Sequence, residues 1–557
     1  MSGELFRVFE FVFAFVLMLG VVITVHEFGH FVVAKLCGVR VLKFSIGFGP
    51  PIGFGRFRLA WRRGGTDYVI AAIPLGGFVK MLGESPDGAE AEELAAHPDQ
   101  ALEAKPTWQK LAILFAGPAM NLILPVALFT GSLAVGIQRP DAVVGTVEPG
   151  SPAEAAGVQP GDRVLAVDGA PVSWWNEVED VIRDGGGRRV TLSLERDGAR
   201  RELALAVEAR PGLDIFRATQ DVGWAGLQHT RQKPVLGVPD ADSGAARVGL
   251  RSGDRVAALN DAPVEDWTSL ARAYAATEGV ARFRIERGPA DGAQTLEIAA
   301  PALGRLEALG AEPAVVLVSA VEADSAASEA GIAPGDLIVA VDGAPIGSFF
   351  TFKETVNASG GRTLRIEVAR DGETRRVALA PRVMKTDTGA GEEELYRIGI
   401  QGENAILAGA IALDREVNPL VAVPRAAQMT WDLTALFLRG LKKLIVGEIS
   451  RKNVGGPIEI ARQSHTALQA GWDVFLRLLI LISINVGILN LLPIPILDGG
   501  QALVVTVEGV KRSPLSMRTR EIVQQVGLVL LVMIMGMAFW NDLSRNWSSF
   551  VDWIVGS

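Results

Sequence analysis

Residues 11–34 read FVFAFVLMLGVVITVHEFGHFVVA, an apolar stretch whose last third contains His26, Glu27 and His30. A stretch of this length is typical of a transmembrane helix, which needs about 20 residues to cross a hydrocarbon layer of roughly 30 Å. It lacks the basic start and the short apolar centre of a cleaved signal peptide. Because ionisable side chains are costly inside a membrane, we expect these three residues to have a function.

Three further apolar stretches indicate a protein with four transmembrane helices. They cover residues 111–138, 478–497 and 522–540. Charged residues still make up 21% of the 557 residues, so a sizeable extramembrane part must accompany the spans. The net charge of −9 argues against a nucleic-acid-binding protein. Cys37 is the only cysteine, which excludes an internal disulfide.

The short loops predict the orientation in the membrane, because Lys and Arg accumulate on the cytoplasmic side. Basic residues follow the first and the third spans: Arg40, Lys43, Arg56, Arg58, Arg62 and Arg63, then Lys511, Arg512, Arg518 and Arg520. We therefore expect a multi-pass membrane protein with both of these loops in the cytoplasm, which in a bacterial cell would place it in the inner membrane. The large insert between the second and third spans is then periplasmic, and His26 and His30 lie near the cytoplasmic face.

One sequence pattern occurs three times in the insert, at residues 151–162, 243–254 and 325–336. The first copy reads SPAEAAGVQPGD, and each copy is followed by an apolar strand and a tight turn. The copies recur at the spacing of small domains and not at that of a solenoid repeat. Short alternating strands with Asp-Gly turns predict mostly-β modules.

The repeated pattern resembles that of circularly permuted PDZ domains of bacterial proteases. The resemblance implies three PDZ-like domains, over residues 139–232, 233–313 and 314–403. Such domains receive an extended peptide as an added strand. The candidate receiving segments are residues 223–227, 309–313 and 396–400. The modules could equally act as steric gates or spacers, since the second copy has Asn260-Asp261 where the others have Asp-Gly.

The pattern His26-Glu27-Phe28-Gly29-His30 predicts a zinc site. On a helix the two imidazoles lie on one face and can bind one ion, while the glutamate can act on water. A structural His and Glu pair between packed helices is the alternative. Catalytic zinc usually has three protein ligands, so one is missing. The best candidate is Asp498, at the cytoplasmic end of the third span, where Pro493 and Pro495 break the helix.

The remaining histidines are poor ligand candidates because they lie in segments predicted to be outside the membrane: His97, His229 and His465. From the residues alone, zinc held by His26, His30 and Asp498 activates a water molecule. Glu27 accepts the proton of this water and returns it to the leaving amine as a general acid.

Several segments together resemble the site-2 protease family (peptidase M50), in its bacterial regulator-of-sigma-E protease type. Besides the histidine pattern, they are FAGPAMN at 115–121, NLLPIPILDGG at 490–500, GGPI at 455–458 and residues 73–84. The resemblance covers nearly the whole chain and implies an intramembrane metalloprotease with one catalytic Zn²⁺. The chain departs from the familiar members in carrying three modules where they carry two.

The resemblance also implies how a substrate is held. It assigns substrate contacts to Asn490, Pro493 and Pro495, and it assigns an edge strand to Gly76, Gly77 and Phe78. The prolines could instead shape only the helix end, and the glycines could make only a turn. The implied substrates are single-span proteins of the lipid bilayer, such as an anti-sigma factor or remnant signal peptides.

The expected fold class is a multi-spanning α-helical membrane protein with four transmembrane helices and an inserted array of three mostly-β PDZ-like domains. The other segments are 1–37 (first transmembrane helix), 38–107 (cytoplasmic loop with a membrane-associated β segment), 108–138 (second helix), 404–470 (amphipathic periplasmic helical segment), 471–500 (third helix), 501–521 (cytoplasmic loop), 522–541 (fourth helix) and 542–557 (periplasmic tail).

Two other functional classes are possible alternatives. One is a catalytically inactive, membrane-anchored PDZ scaffold, which the intact set of Glu27, its two flanking histidines and Asp498 argues against. The other is a transporter built from inverted repeats, which would show internal symmetry among its spans. The four spans show no obvious symmetry of this kind.

Overall fold

In a computed structural model, the chain divides into two compact units, one formed by Met1–Ile137 with Arg415–Ser557 and the other by Gln138–Asp414. The structure describes residues 2–53, 57–83, 88–148, 150–213, 219–288, 293–346, 349–370, 373–387, 392–402, 406–448, 455–513 and 515–545. Arg56 of the basic loop and most of the predicted tail at 542–557 lie outside these residues.

Long helices and one small sheet form the first unit. Its elements are α1 (Ser2–Leu36), β1 (Val41–Pro51), β2 (Ala60–Arg63), β3 (Thr66–Met81), α2 (Gly88–Ala96), a 3-10 turn (Pro98–Gln100), α3 (Thr107–Val135), α4 (Pro419–Val446), α5 (Pro457–Ala470), α6 (Trp472–Asn490), α7 (Asp498–Lys511) and α8 (Met517–Arg545).

Four of these helices are long and apolar enough to span a membrane, among the residues that the structure describes: Phe9–Leu36, Thr107–Val135, Trp472–Asn490 and Arg518–Ser544. Each overlaps one of the four predicted spans. The agreement follows from length and composition, because a helix rises only about 1.5 Å per residue and must stay apolar for roughly 20 residues to cross.

The third span differs from its predicted bounds of 478–497. Helix α6 ends at Asn490, and residues 491–497 are irregular before α7 begins at Asp498. Prolines 493 and 495 lie in this irregular segment, and a proline cannot supply the N–H that a helix requires. The second span begins and ends earlier than predicted: α3 covers Thr107–Val135, and Gly136 ends it in a conformation with φ of 109°.

Glycines let α1, α3 and α6 approach one another closely. A Cβ at Gly29 of α1 would collide with the backbone of Ala116 in α3. A Cβ at Gly487 of α6 would lie 3.2 Å from the Cβ of Asn121, also in α3. Close backbone approach of this kind is typical of helix packing in membranes. The hydrophobic effect does not drive helices together there, so association depends on close packing, which small residues allow.

Helix α4 lies along two of the candidate spans. Its residue Ala426 belongs to a buried cluster with Phe129 and Leu133 of α3 and with Ile484 of α6. The sequence predicts an amphipathic surface helix in this region, and α4 does carry charged residues on its exposed side. The structure adds that its narrow apolar face packs against the helices of the bundle.

The start of α5 is fixed to the end of α8 by one carboxylate. Asp542, only 1% exposed, accepts hydrogen bonds from the N–H groups of Gly456 (2.8 Å), Ile458 (3.0 Å) and Glu459 (3.1 Å). An acidic group is favourable at a helix N-terminus, where the backbone N–H groups lack helical partners. The Gly-Gly-Pro-Ile segment at 455–458 therefore has a structural role that its sequence did not reveal.

The second unit contains three four-stranded antiparallel sheets of the same topology, each with helices packed on it. Their strands, in spatial order, are Ala170–Pro171, Arg163–Val167, Arg189–Arg196 and Ala199–Ala206; Ala262–Pro263, Arg255–Leu259, Val280–Arg287 and Gln294–Pro301; and Ala344–Pro345, Leu337–Val341, Leu364–Arg370 and Glu373–Leu379. The helices are Pro152–Ala155, Trp175–Asp184, Gly244–Arg247, Trp267–Ala275, Leu306–Leu309, Ala326–Glu329 and Phe349–Ala358.

Two-stranded antiparallel ribbons complete the second unit. They pair Ile137–Pro140 with Ile411–Asp414, Thr146–Val147 with Leu227–Gln228, Glu208–Leu213 with Thr219–Trp224, Arg231–Gln232 with Ile406–Leu407, Leu236–Gly237 with Glu312–Pro313, Val318–Val321 with Ile400–Gly402, and Arg382–Asp387 with Glu392–Arg397. Each module has its own buried apolar cluster.

A buried ion pair recurs in all three modules. In the first, the carboxylate of Asp162 is 1% exposed and accepts two hydrogen bonds from the guanidinium of Arg196, at 2.6 and 2.7 Å. The equivalent pairs are Asp254 with Arg287 and Asp336 with Arg370. Each aspartate ends one copy of the repeated pattern, so the Gly-Asp signature marks the site where the third strand is fixed to the loop.

The second module keeps its tight turn without glycine. Asn260 and Asp261 have φ values of 49° and 66°, close to those of Asp168 and Gly169 in the first module, 49° and 80°. Asn and Asp tolerate this left-handed region better than other non-glycine residues. The departure of the second copy from Asp-Gly therefore does not change the local fold.

We expect Arg196→Ala to destabilise the first module by about 3 kcal/mol, because it leaves the buried Asp162 carboxylate without its countercharge. Chymotrypsin should then cleave the full-length protein within residues 139–232 at a lower temperature than it cleaves the wild type. Arg200→Ala, which removes an exposed arginine from the adjacent strand, serves as the control. Equal protease resistance of the two variants would contradict the role of the ion pair.

Candidate metal and active site

Three potential metal ligands converge in the first unit. The Nε2 atoms of His26 and His30 are 3.2 Å apart, and Oδ2 of Asp498 lies 3.1 Å from the first and 3.5 Å from the second. Both histidines are nearly buried, 8% and 7% exposed. Among the residues described, this is the group of His, Cys, Asp or Glu side chains whose ligand atoms are close enough to share an ion.

These separations fit zinc. Two ligands at about 2.0–2.1 Å from a tetrahedral ion are roughly 3.3–3.4 Å apart, close to the three measured distances. Nδ1 of His30 is 2.8 Å from the carbonyl oxygen of Ile113, which can only accept, so Nδ1 carries the proton and Nε2 keeps its lone pair. Acceptor atoms packed this closely repel one another unless a cation or a proton lies between them.

Two glycines bring Asp498 to the histidines. Asp498 is the first residue of α7, immediately after the irregular segment. A Cβ at Gly499 would collide with the backbone of Leu491, and one at Gly500 would collide with the backbone of Ile494. The Asp-Gly-Gly sequence therefore allows the first turn of α7 to fold tightly onto the chain that precedes it.

Helix α3 lines the site although it supplies none of the three ligands. A Cβ at Gly117 would lie 2.7 Å from Cε1 of His30 and 2.8 Å from Cε1 of His26. Nearby, Nδ2 of Asn121 lies 3.3 Å from Nδ1 of His26. The sequence does not predict these contacts, since FAGPAMN contributes there only to the family resemblance. The available signal was an asparagine in the middle of an uncharged span.

Glu27 faces the small sheet of the first unit. Its side chain is half-buried, and a Cβ at Gly77 of β3 would lie 3.1 Å from its Cγ. The predicted general base therefore lies beside the backbone of the segment to which the family resemblance assigns substrate binding.

The predicted edge strand lies at the edge of this sheet. Strand β1 pairs with both halves of β3: its residue Ser45 lies opposite Val69 on one side and Phe78 on the other. The two halves of β3 therefore lie on opposite sides of β1. Within the described chain, no strand pairs with the other side of residues 77–79. Gly76 has a φ of 134° and lies against the ring of Phe48.

The other predicted substrate contacts surround the irregular segment. Asn490 is the last residue of α6 and is half-buried, while Pro493 is exposed. Pro495 is half-buried, and a Cβ at Gly527 of α8 would lie 2.8 Å from its Cβ. The structure thus places Pro495 against the fourth candidate span, where it also shapes the end of the helix.

The remaining histidines do not join the three converging ligands. His97 precedes the 3-10 turn, and His465 lies in α5 against the ring of Phe11. His229 belongs to the second unit, where its Nε2 is 2.8 Å from the carbonyl oxygen of Ala410.

Comparison with known proteins identifies the family of the chain. The family profile "Peptidase family M50" matches residues 14–534. The regulator of sigma E protease of Salmonella typhi is 33% identical over 536 residues, which cover 96% of this chain and 98% of the relative. Regulator of sigma-E protease RseP of Escherichia coli K12 is 32% identical over the same coverage. A putative zinc metalloprotease of Xylella fastidiosa 9a5c is 32% identical, covering 94% and 96%.

The family resemblance drawn from the motifs is confirmed by these matches, and so is zinc as the cofactor. The match extends over the candidate spans and the inserted modules alike. The chain therefore belongs to peptidase family M50 and is an integral-membrane zinc metalloprotease of the site-2 type.

Proposed function

We propose that His26, His30 and Asp498 hold the catalytic zinc and that Glu27 transfers the proton in the hydrolysis of peptide bonds inside the membrane. The observation that carries this proposal is the convergence of three acceptor atoms within 4.8 Å of one another. When bound, zinc supplies Lewis-acid chemistry that lowers the pKa of a water molecule toward 7 and polarises a carbonyl group.

Glu27 is suited to accept the proton of the attacking water and to return it to the leaving amine. A general base must lie within hydrogen-bond reach of the proton it takes. Glu27 follows His26 directly in α1 and contacts the sheet at Gly77. A peptide held along this sheet would bring its carbonyl group close to both the carboxylate and the proposed metal ligands.

We further propose that Gly76, Gly77 and Phe78 receive the substrate as an added strand. A helical substrate has its backbone groups hydrogen-bonded internally, so it must unwind before a carbonyl becomes accessible. An unpaired strand edge compensates the unwound backbone by offering new hydrogen bonds. Asn490 and the exposed Pro493 would contact the substrate on the opposite side, whereas the packing of Pro495 on Gly527 also supports a structural role.

The proposed substrates are single-span membrane proteins. Two relatives are named "Regulator of sigma E protease" and "Regulator of sigma-E protease RseP", which makes a membrane-bound anti-sigma factor a candidate substrate of this chain. Remnant signal peptides are a second candidate, because they are single apolar segments left in the bilayer. The proposed site and topology require of a substrate only that it can present an extended peptide near the cytoplasmic end of its span.

We propose the domain boundaries and the topology given by the sequence, except that the third span ends at Asn490. The insert would then be periplasmic and the metal site would lie near the cytoplasmic face. The basic residues after the first and third spans support this orientation.

The three modules are proposed to be PDZ domains that filter substrates. They share a glycine with positive φ that packs on the first serine of each repeat: Gly226 on Ser151, Gly310 on Ser243 and Gly399 on Ser325. The shared contact supports one architecture for all three modules and aligns their candidate receiving strands.

The middle module is the least suited to receive a peptide. Its short strand is Glu312–Pro313, and proline has no N–H to offer to an added strand. The next residue, Ala314, donates its N–H to the carbonyl oxygen of Val235 and is buried in a cluster with Leu317 and Leu337 of the third module. We therefore propose that the middle module is a spacer and that peptide capture belongs to the outer two.

A catalytically inactive scaffold is the less favoured alternative. It gives no reason for two imidazoles and a carboxylate to be buried together in a bundle of apolar helices, where polar groups are costly. It also does not require Glu27.

We expect Glu27→Gln to lower the cleavage of a single-span reporter substrate by at least about 10²-fold, because the amide cannot accept the proton. Bound zinc should remain, since Glu27 is not a proposed ligand. Reporter cleavage and zinc content are measured on the same purified preparation, with Glu10→Gln in the same helix as the control. Unimpaired cleavage by the Glu27 variant would refute the proposed mechanism.

Asp498→Ala should remove most of the zinc from the purified protein, because it deletes one of three proposed ligands. The metal is quantified by atomic emission after dialysis against a mild chelator. Asp473→Ala, at an exposed aspartate in the first turn of α6, controls for the loss of a carboxylate near a helix end. Full zinc content in the Asp498 variant would mean that the third ligand lies elsewhere.

The topology is tested with single cysteines in a Cys37→Ser background. We expect a membrane-impermeant maleimide to label Glu202→Cys in intact spheroplasts, because residue 202 lies in the proposed periplasmic insert. Lys511→Cys should react only after permeabilisation. Both side chains are exposed in the structure. The reverse labelling pattern would invert the proposed orientation.

A further inference from the structure

Asn121 of α3 is fully buried beside the first proposed ligand, with its Nδ2 3.3 Å from Nδ1 of His26. Its Oδ1 is also buried and finds no hydrogen-bond partner among the residues described. Buried amide groups are normally paired. A half-turn of the amide about its last side-chain bond exchanges oxygen and nitrogen without moving any other atom, and it directs the oxygen at His26.

The two amide orientations require opposite tautomers of His26. If Nδ2 donates to Nδ1, the imidazole proton must sit on Nε2, which then has no lone pair for a metal. If Oδ1 faces Nδ1 instead, Nδ1 carries the proton and Nε2 is free to bind. His30 already has the second arrangement, since its Nδ1 donates to the carbonyl of Ile113.

The backbone of Asn121 is held in place by α6. The hydroxyl of Ser483 donates a 2.7 Å hydrogen bond to the carbonyl oxygen of Asn121. Gly487 lies one turn further along α6, and a Cβ added there would be only 3.2 Å from the Cβ of Asn121. Because the backbone is fixed on both counts, the side chain has little freedom except the rotation of its amide.

We propose that Asn121 is a positioning residue for His26: its side-chain oxygen accepts the Nδ1 proton and thereby holds the Nε2 lone pair toward Asp498 and His30. This inference rests on the proposed zinc ligation by His26. A metal-bound histidine generally donates its second ring N–H to an oxygen acceptor, and removing that acceptor weakens metal binding by about 10–100-fold. Helix α3 then serves both histidines, through the carbonyl of Ile113 and the amide of Asn121.

Zinc affinity of the full-length protein in detergent tests the proposal by competition with a chromogenic chelator. Asn121→Leu, which removes the acceptor, should lower the affinity by about 10–100-fold. Asn121→Asp should stay within about tenfold of the wild type, because a carboxyl group still presents an oxygen to Nδ1–H. Asn485→Leu removes another buried amide from α6 and controls for the general cost of such a change.

The tautomer of His26 provides a readout that does not depend on zinc. The chain has five histidines, few enough for their ring nitrogens to be resolved by ¹⁵N NMR of selectively labelled protein, with single His→Gln variants for assignment. In zinc-free wild type at a pH where imidazole is neutral, we expect the proton of His26 on Nδ1. In Asn121→Leu we expect a shift toward the Nε2–H form.

The outcomes separate this inference from the proposed function. Loss of zinc in His26→Ala together with wild-type affinity in Asn121→Leu would overturn the inference alone. An Nε2–H tautomer of His26 in the zinc-free wild type would also overturn it, even if the leucine variant failed to fold. Retention of zinc by His26→Ala would instead overturn the proposed ligand set.

Discussion

The structure of the first unit depends on one constraint, the placement of two buried imidazoles and a partly buried carboxylate among helices that are otherwise apolar. Polar groups in such surroundings are costly unless each finds a partner. Asp498 lies within 3.5 Å of both histidines, and each ring has a further polar contact from α3. Acceptor atoms gathered in this way favour a cation between them, which is why a site that is costly in the bare protein becomes favourable when a metal binds.

Helix α3 contacts both histidine rings, although it supplies none of the proposed metal ligands. Gly29 and Gly117 remove the side chains that would separate α1 from α3, so that α3 lies against both rings. The carbonyl of Ile113 and the amide of Asn121 are then close enough to contact ring nitrogens. A helix that supplies none of the proposed ligands therefore contacts both of the proposed histidine ligands and, by our proposal, sets their protonation. Outer contacts of this kind commonly matter for metal affinity almost as much as the ligands themselves.

The parts that the sequence predicted are those that depend on local patterns. Helical periodicity puts His26 and His30 on one face, apolar length locates the four candidate spans, and the repeated Gly-Asp signature separates the modules. Asp498 could be predicted as a candidate because its depth can be compared with that of the histidines along a span; its proximity to both rings is what the structure adds. By contrast, the contacts of Asp542 with Gly456, of Arg196 with Asp162 and of Asn121 with His26 join residues distant in the chain. No periodicity encodes such pairs.

The unpaired edge of β3 raises a physical problem that bears on catalysis. In hydrocarbon, backbone N–H and C=O groups without partners are costly, so irregular or unpaired backbone at membrane depth is tolerated only next to protein or water. The edge at residues 77–79 lies beside Glu27, which itself needs water for the proposed hydrolysis. One hydrated cavity would satisfy both requirements. An added substrate strand would then displace water from the edge and keep the backbone hydrogen-bonded, so that unwinding a substrate helix exchanges one set of hydrogen bonds for another instead of losing them.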